Sequence, residues 1–181
     1  EVDQFSGSYD GQNHTISGLF INRPNQNDCG LFGETSSDAK ITNLSVLRGF
    51  VKGRKNVGGL IGSAIGTEVT NCSFDGQIDG QEIIGGLIGK QSEKSSISHS
   101  YTTGFVQGIL SKIGGMVGQS ITQSEIIDSY SNSQVTGPSK TGGLVGEITM
   151  SSSIHRCYSS GSVLEKSLSF SGRGLRRPMT Q

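Results

Sequence analysis

This chain has no run of 18 or more apolar residues, so nothing in it reads as a membrane-spanning helix. It has no excess of either charge. Fifteen Lys and Arg residues balance fifteen Asp and Glu residues, which removes the overall electrostatic grip used on nucleic acid or anionic lipid. It lacks a secretory apolar segment and starts at Glu1 without a methionine, so it reads as a processed or excised piece whose start says little about export. A sustained helical apolar period is missing too, and each of the 28 glycines would cost a helix about 1 kcal/mol. Only three cysteines are present, with no Cys-x-x-Cys or Cys/His spacing that suggests a metal site. Hydrophobic residues are 31% of the chain, but they are spaced periodically and the net charge is zero. That is a thin, linear core and not the composition of a disordered chain.

What the chain does have is a repeat. A small-Gly-apolar-apolar-Gly string occurs as Cys29-Gly30-Leu31-Phe32-Gly33, Gly58-Gly59-Leu60-Ile61-Gly62 and Gly85-Gly86-Leu87-Ile88-Gly89. It returns as Gly114-Gly115-Met116-Val117-Gly118 and Gly142-Gly143-Leu144-Val145-Gly146. The steps are 29, 27, 29 and 28 residues. A second string runs in phase with it, led by Ile41, Val69, Ile97, Ile126 and Ile154. Nine residues after its leader comes Ile78, Val106, Val135 or Val163, and the first full copy carries one extra residue before Val51. Self-similarity at this period means one supersecondary unit stacked on copies of itself.

The segments between the glycines are rich in β-branched and aromatic residues, and Gly, Asn, Ser and Asp supply turns between them. The reading is an all-β parallel β-solenoid of five to six coils of ~28 residues, with apolar residues stacked above their equivalents. Residues 1–8 are a lead-in, 9–163 the solenoid, and 164–181, with Arg173, Arg176 and Arg177, a cap, linker or disordered tail. The motif glycines have two jobs open to them, positive φ at coil turns and close backbone packing. Cys72 and Cys157 lie three repeats apart, about 14 Å at the strand spacing, which is beyond disulfide reach. All three thiols are expected to be free and buried. Propeller blades need a longer repeat, and leucine-rich and calcium-binding nonapeptide repeats need residues that are not at these positions.

The Gly-Gly-Leu-Ile/Val-Gly copies, with Ile-Thr-Asn-Cys and Gly-x-Val-x-Gly between them, resemble the GLUG-motif repeat family. The lead-in from Tyr9 to Leu19 is similar to the segment before a first GLUG repeat. The resemblance covers about residues 9 to 163 and implies an extracellular or surface module. Family members include adhesin-like bacterial surface proteins and repeat regions of immunoglobulin A peptidases. It brings no catalytic residues.

Candidate chemistry is sparse. Glu68 and Glu125 fall two coils apart with Ser96 between them, and Asp75 and Asp79 have no carboxylate partner in neighbouring repeats; solvated turn residues are the better reading. The column Asn43, Asn71, His99, Asp128, Arg156 offers a His-Asp neighbour pair, but reads better as a polar ladder. Gly85 to Lys90 is one residue short of a phosphate loop. Tyr101, Tyr130 and Tyr158 form a column that is either a weak ligand-binding face or, preferred, an internal stack closing a corner, with Phe20 starting it. The expectation is a non-catalytic structural or adhesive module of an exported or cell-surface protein, without cofactor or metal. Its partners are neighbouring domains or copies of itself, glycans or host proteins, and neither nucleic acid nor a membrane span. The alternative is the β-helical part of a carbohydrate-active enzyme or peptidase with its chemistry mostly outside this chain.

Overall fold

The computed structural model describes residues 4–165, so the expectations for the basic tail lie outside the described residues. They form a parallel β-solenoid of about six turns, with no helix among the described residues. One face is a five-stranded sheet made by the second half of each glycine motif: Phe32–Thr35, Ile61–Ile65, Ile88–Ser92, Val117–Ser120 and Val145–Ile148. The remaining strands belong to one bent thirteen-stranded sheet that wraps the other sides. Pairing is parallel throughout, because each strand meets its own equivalent one turn later.

Register follows the repeat. Ile41 pairs with Val69, Val69 with Ile97, Ile97 with Ile126 and Ile126 with Ile154. Val51, Ile78, Val106, Val135 and Val163 make a second apolar column, and Phe32, Ile61, Ile88, Val117 and Val145 a third. These columns meet inside the coil with Leu60, Leu87 and Met116, all fully buried. Each such side chain contributes roughly 1.5–3 kcal/mol on burial. The extra residue of the first full copy is absorbed as an irregularity between Val46 and Gly49, where Leu47 is pushed out to solvent.

The corners are not made by the motif glycines. None of the fourteen glycines in those five strings has positive φ, which corrects half of the sequence expectation. Left-handed residues instead stand in three columns: Asp28, Asn56, Ile83, Lys112 and Lys140; Asp38, Gly66, Lys94, Gln123 and Ser151; Asn43, Asn71, His99, Asp128 and Arg156. Each coil therefore bends three times at a fixed place. The motif glycines serve close packing alone: a Cβ on Gly86 would lie 2.2 Å from the Gly115 carbonyl oxygen of the next coil. A Cβ on Gly58 would lie 2.2 Å from its own coil's Ile61 oxygen. Cys29, which stands in the place of Gly58 in the sequence repeat, pairs with Val57 instead of Gly58.

Two further expectations are corrected here. Cys29 and Cys72 are buried, but Cys157, on the last described coil, is half-exposed. Phe20 belongs to a different column, stacked on Phe50 with ring centroids 5.2 Å apart.

Candidate binding face

The third corner column is a polar ladder in two bonded stretches, Asp10–Asn43–Asn71 and Asp128–Arg156. Asn43 Nδ2 donates to Asp10 Oδ1 at 3.0 Å, and Asn71 Nδ2 to Asn43 Oδ1 at 2.8 Å. Higher up, Arg156 donates to both Asp128 oxygens at 2.6 and 2.8 Å, while His99 Nε2 lies 3.9 Å from Asp128. The Arg156 guanidinium holds the Asp128 carboxyl below its usual range. Asp128 is thus committed to Arg156, and the His-Asp pair is a rung of the ladder.

Just inside this corner, small polar side chains stitch successive coils. Ser100 Oγ accepts from the Cys72 N–H at 3.1 Å and donates to the Ser98 carbonyl at 2.8 Å; Ser129 repeats this one coil on. Cys72 holds the same place, and burial pushes its thiol up to about 11.

The corner beside the five-stranded sheet carries charge of alternating sign. Lys55 reaches Glu82 at 3.2 Å, and Lys112 lies 3.9 Å from Glu82 and 3.5 Å from Glu147. Lys140 also pairs with Glu147, and Gln119 Nε2 donates to it at 2.6 Å. Lys140, then Lys112 and Gln119, hold the Glu147 carboxyl below its usual range, against the opposing effect of burial. A lowered folded-state pKa gives stability that is present above the unfolded pKa and lost as pH falls through the folded one. Glu147→Gln is therefore expected to lower the urea midpoint at pH 7, with the gap to wild type closing below about pH 4. A gap that does not narrow at all as the pH is lowered would show that Glu147 acts by packing and not by charge.

The carboxylates do not converge. Glu68 pairs with Lys40 at 3.2 Å, and Ser96 separates it from Glu125. Asp75 accepts from Thr103 Oγ1 at 2.6 Å, and the Asp79 carboxylate accepts from Gln77 Nε2 at 3.1 and 3.2 Å. Among the described residues, no group of three or more His, Cys, Asp or Glu is arranged to hold a metal ion. A cleft of about 290 Å³ beside the last described coil is lined by residues such as Pro138, Lys140, Val163 and Glu165.

Tyr101, Tyr130 and Tyr158 do stack, with centroids 5.2 and 5.0 Å apart and planes within 6° and 4°. The stack is external, however, and Tyr158 is 59% exposed. The internal placement fails because Thr102, Ser131 and Ser159 alternate with the tyrosines, and Thr102 and Ser131 take the inward side of the strand. Parallel rings at this spacing cover one another's faces, so the ladder shows solvent mainly its edges and hydroxyls.

Three more outward columns lie along the same strands. One is Asp75, Thr103 and Asn132; the next is Phe50, Gln77, Phe105 and Gln134; the last is Lys52, Asp79, Gln107 and Thr136. From Tyr101 to Gln107 and from Tyr130 to Thr136 the outward positions carry no charge at all. Phe105 stands at the centre of this patch, 57% exposed. Sequence reasoning passed over it because it follows no column of its own kind; its one signal was an aromatic where the neighbouring repeats have Gln77 and Gln134.

Fold and surface together define a β-solenoid repeat module whose outer face is uncharged over two coils and carries Phe105 and the tyrosine ladder. The chain carries the GLUG motif, and the model of that family matches residues 53–79. Over 109 residues, 58% of its length, the chain is 35% identical to halomucin of Haloquadratum walsbyi and spans 1% of that protein. A crystal structure of a candidate immunoglobulin A1 protease from Bacteroides ovatus superposes with a TM-score of 0.65 at 15% identity. That match covers 86% of this chain and 67% of the other, and it speaks to the fold.

Proposed function

We propose that this segment is a non-catalytic structural and adhesive repeat module of an exported or cell-surface protein. The observation that supports it most is the unbroken stack. The five repeats from Asp28 to Arg156 keep the same three corners, and polar side chains at two of these corners bond along the column. Enzyme sites on such scaffolds need loops that leave the repeat. Kinship with halomucin by sequence, and the GLUG motif itself, support the surface setting. Glycans or host proteins are the ligands, and neighbouring domains or further copies of the chain dock end-on. Among the described residues, the outer edge of strand Ser8–Ser17 has no pairing partner, and an open edge of this kind accepts another strand.

The test is a paired screen of the purified chain, for binding to immobilised glycans and host proteins and for lyase, hydrolase and peptidase turnover. Binding without turnover is expected. Turnover abolished by Glu68→Gln or Asp128→Asn would replace this reading with the enzymatic one. End-on docking predicts that sedimentation velocity shows association rising with concentration, and a monomer at every concentration would remove that part.

A further inference from the structure

We infer that the uncharged outer face centred on Phe105 is a binding site for a neutral, extended polysaccharide. The inference rests on the adhesive reading and gives it a place and a ligand class.

A sugar presents hydroxyl groups at its rim and apolar C–H bonds on its ring faces, so its sites pair an open aromatic face with amides and hydroxyls. Phe105 supplies the aromatic. The two residues stacked beside it in neighbouring coils are Gln77 and Gln134, and no aromatic ring lies against it among the described residues. That sets it apart from the tyrosines, whose rings cover each other. Gln77 Nε2 is engaged by Asp79, which leaves the Gln77 carbonyl oxygen available to a ligand hydroxyl. Thr103 donates its proton to Asp75 and keeps its lone pairs as acceptors. Asn132 is exposed on the next coil and accepts a hydroxyl proton from Ser160 at 3.3 Å.

Charge decides the ligand class. The chain has thirty charged side chains, yet the outward positions around Phe105 in its own coil and the next have none. An acidic polysaccharide gains nothing there and meets Asp75 and Asp79 at the border. Size fits as well: six residues of strand span about 20 Å and the two uncharged coils are together about 10 Å wide, long enough for several sugar units. Strand pairing fixes the backbone beneath these side chains, so the ordering cost of binding falls on the side chains alone.

The experiment is an NMR titration of the isotope-labelled chain with hexaoses of β-1,4-glucan, α-1,4-glucan, β-1,4-mannan and polygalacturonate. Saturable shifts at Phe105 and Gln134 with at least one neutral hexaose are expected, with polygalacturonate binding more weakly. Phe105→Ala should weaken binding at least about tenfold, as truncation of a central aromatic anchor does. Gln134→Ala should weaken it several-fold, and Leu110→Ala, exposed outside the patch, should not matter. All three side chains are surface ones, so thermal midpoints should stay near wild type. Neutral-sugar binding unaffected by Phe105→Ala and Gln134→Ala would overturn the site while leaving the adhesive reading intact. Binding of polygalacturonate alone would overturn the ligand class, and no binding of any hexaose by a chain that still adheres to host protein would overturn the inference outright.

Discussion

Gly86→Ala is expected to cost at least about 3 kcal/mol, at or beyond the upper end of typical overpacking penalties. The backbone at Gly86 has no positive φ, so the cost is purely one of space. Its added methyl would sit 2.2 Å from the Gly115 carbonyl oxygen, and relief requires two neighbouring coils to separate beside the bond that the Leu87 N–H donates to the Met116 carbonyl. Gly18→Ala gives the opposite case: φ is +73°, yet nothing lies within 4 Å of the new methyl. It should cost only the left-handed penalty of about 1–2 kcal/mol. Urea unfolding of both variants, read as a midpoint change at constant slope, separates crowding from backbone strain. A Gly86→Ala protein as stable as wild type would mean that the coils are not in the tight contact described here.

Ile97→Ala is expected to lower stability by about 2–5 kcal/mol, because Ile97 is fully buried between Val69 and Ile126 and the coils on both sides keep the cavity open. The chemically identical Ile154→Ala should cost about 1 kcal/mol or less, since Ile154 is 39% exposed on the last described coil. The contrast follows from a quasi-one-dimensional stack, where each residue is supported only by its neighbours above and below. Equal losses at the two positions would argue for a core shared by the whole molecule.

The difference between what the sequence states and what it hides is physical. The apolar column from Ile41 to Ile154 is legible because a parallel stack forces the same residue class to recur once per turn. Parallel register, coil number and the absence of helix all follow from that recurrence. The corners are harder. Asn43, Asn71, His99, Asp128 and Arg156 share a left-handed backbone but only the first four are types that tolerate it readily, so composition marks them as a polar column and not as a bend. At Arg156 the two hydrogen bonds to Asp128 help offset the strain, an interaction between residues 28 apart in sequence. Ile83 is left-handed with no such signal at all. The glycines drew the expectation of positive φ because that is their commonest use, whereas here the missing Cβ matters more than the freed dihedral.

The aromatic surface shows the same division. The tyrosine column is visible because it repeats. Its position outside the coil is decided by strand alternation, which places Thr102 and Ser131 inward and is ambiguous by one residue wherever a corner interrupts the strand. Phe105 is invisible to any argument from periodicity, since what distinguishes it is being unlike Gln77 and Gln134.

In-register stacking of one coil on the next creates the core columns, the ladders and the outer face, and cysteine cross-linking tests it directly. In a Cys157→Ser background, which removes the most accessible native thiol, the pair Asp75→Cys and Thr103→Cys places thiols on facing positions of adjacent coils. Their Cα atoms should be about 4.8 Å apart, within disulfide range, whereas Asp75→Cys with Asn132→Cys spans two coils, about 10 Å, and lies outside it. Mild oxidation is predicted to close the first pair rapidly within a monomer and to leave the second open. Closure of the second pair in preference to the first would contradict the stack.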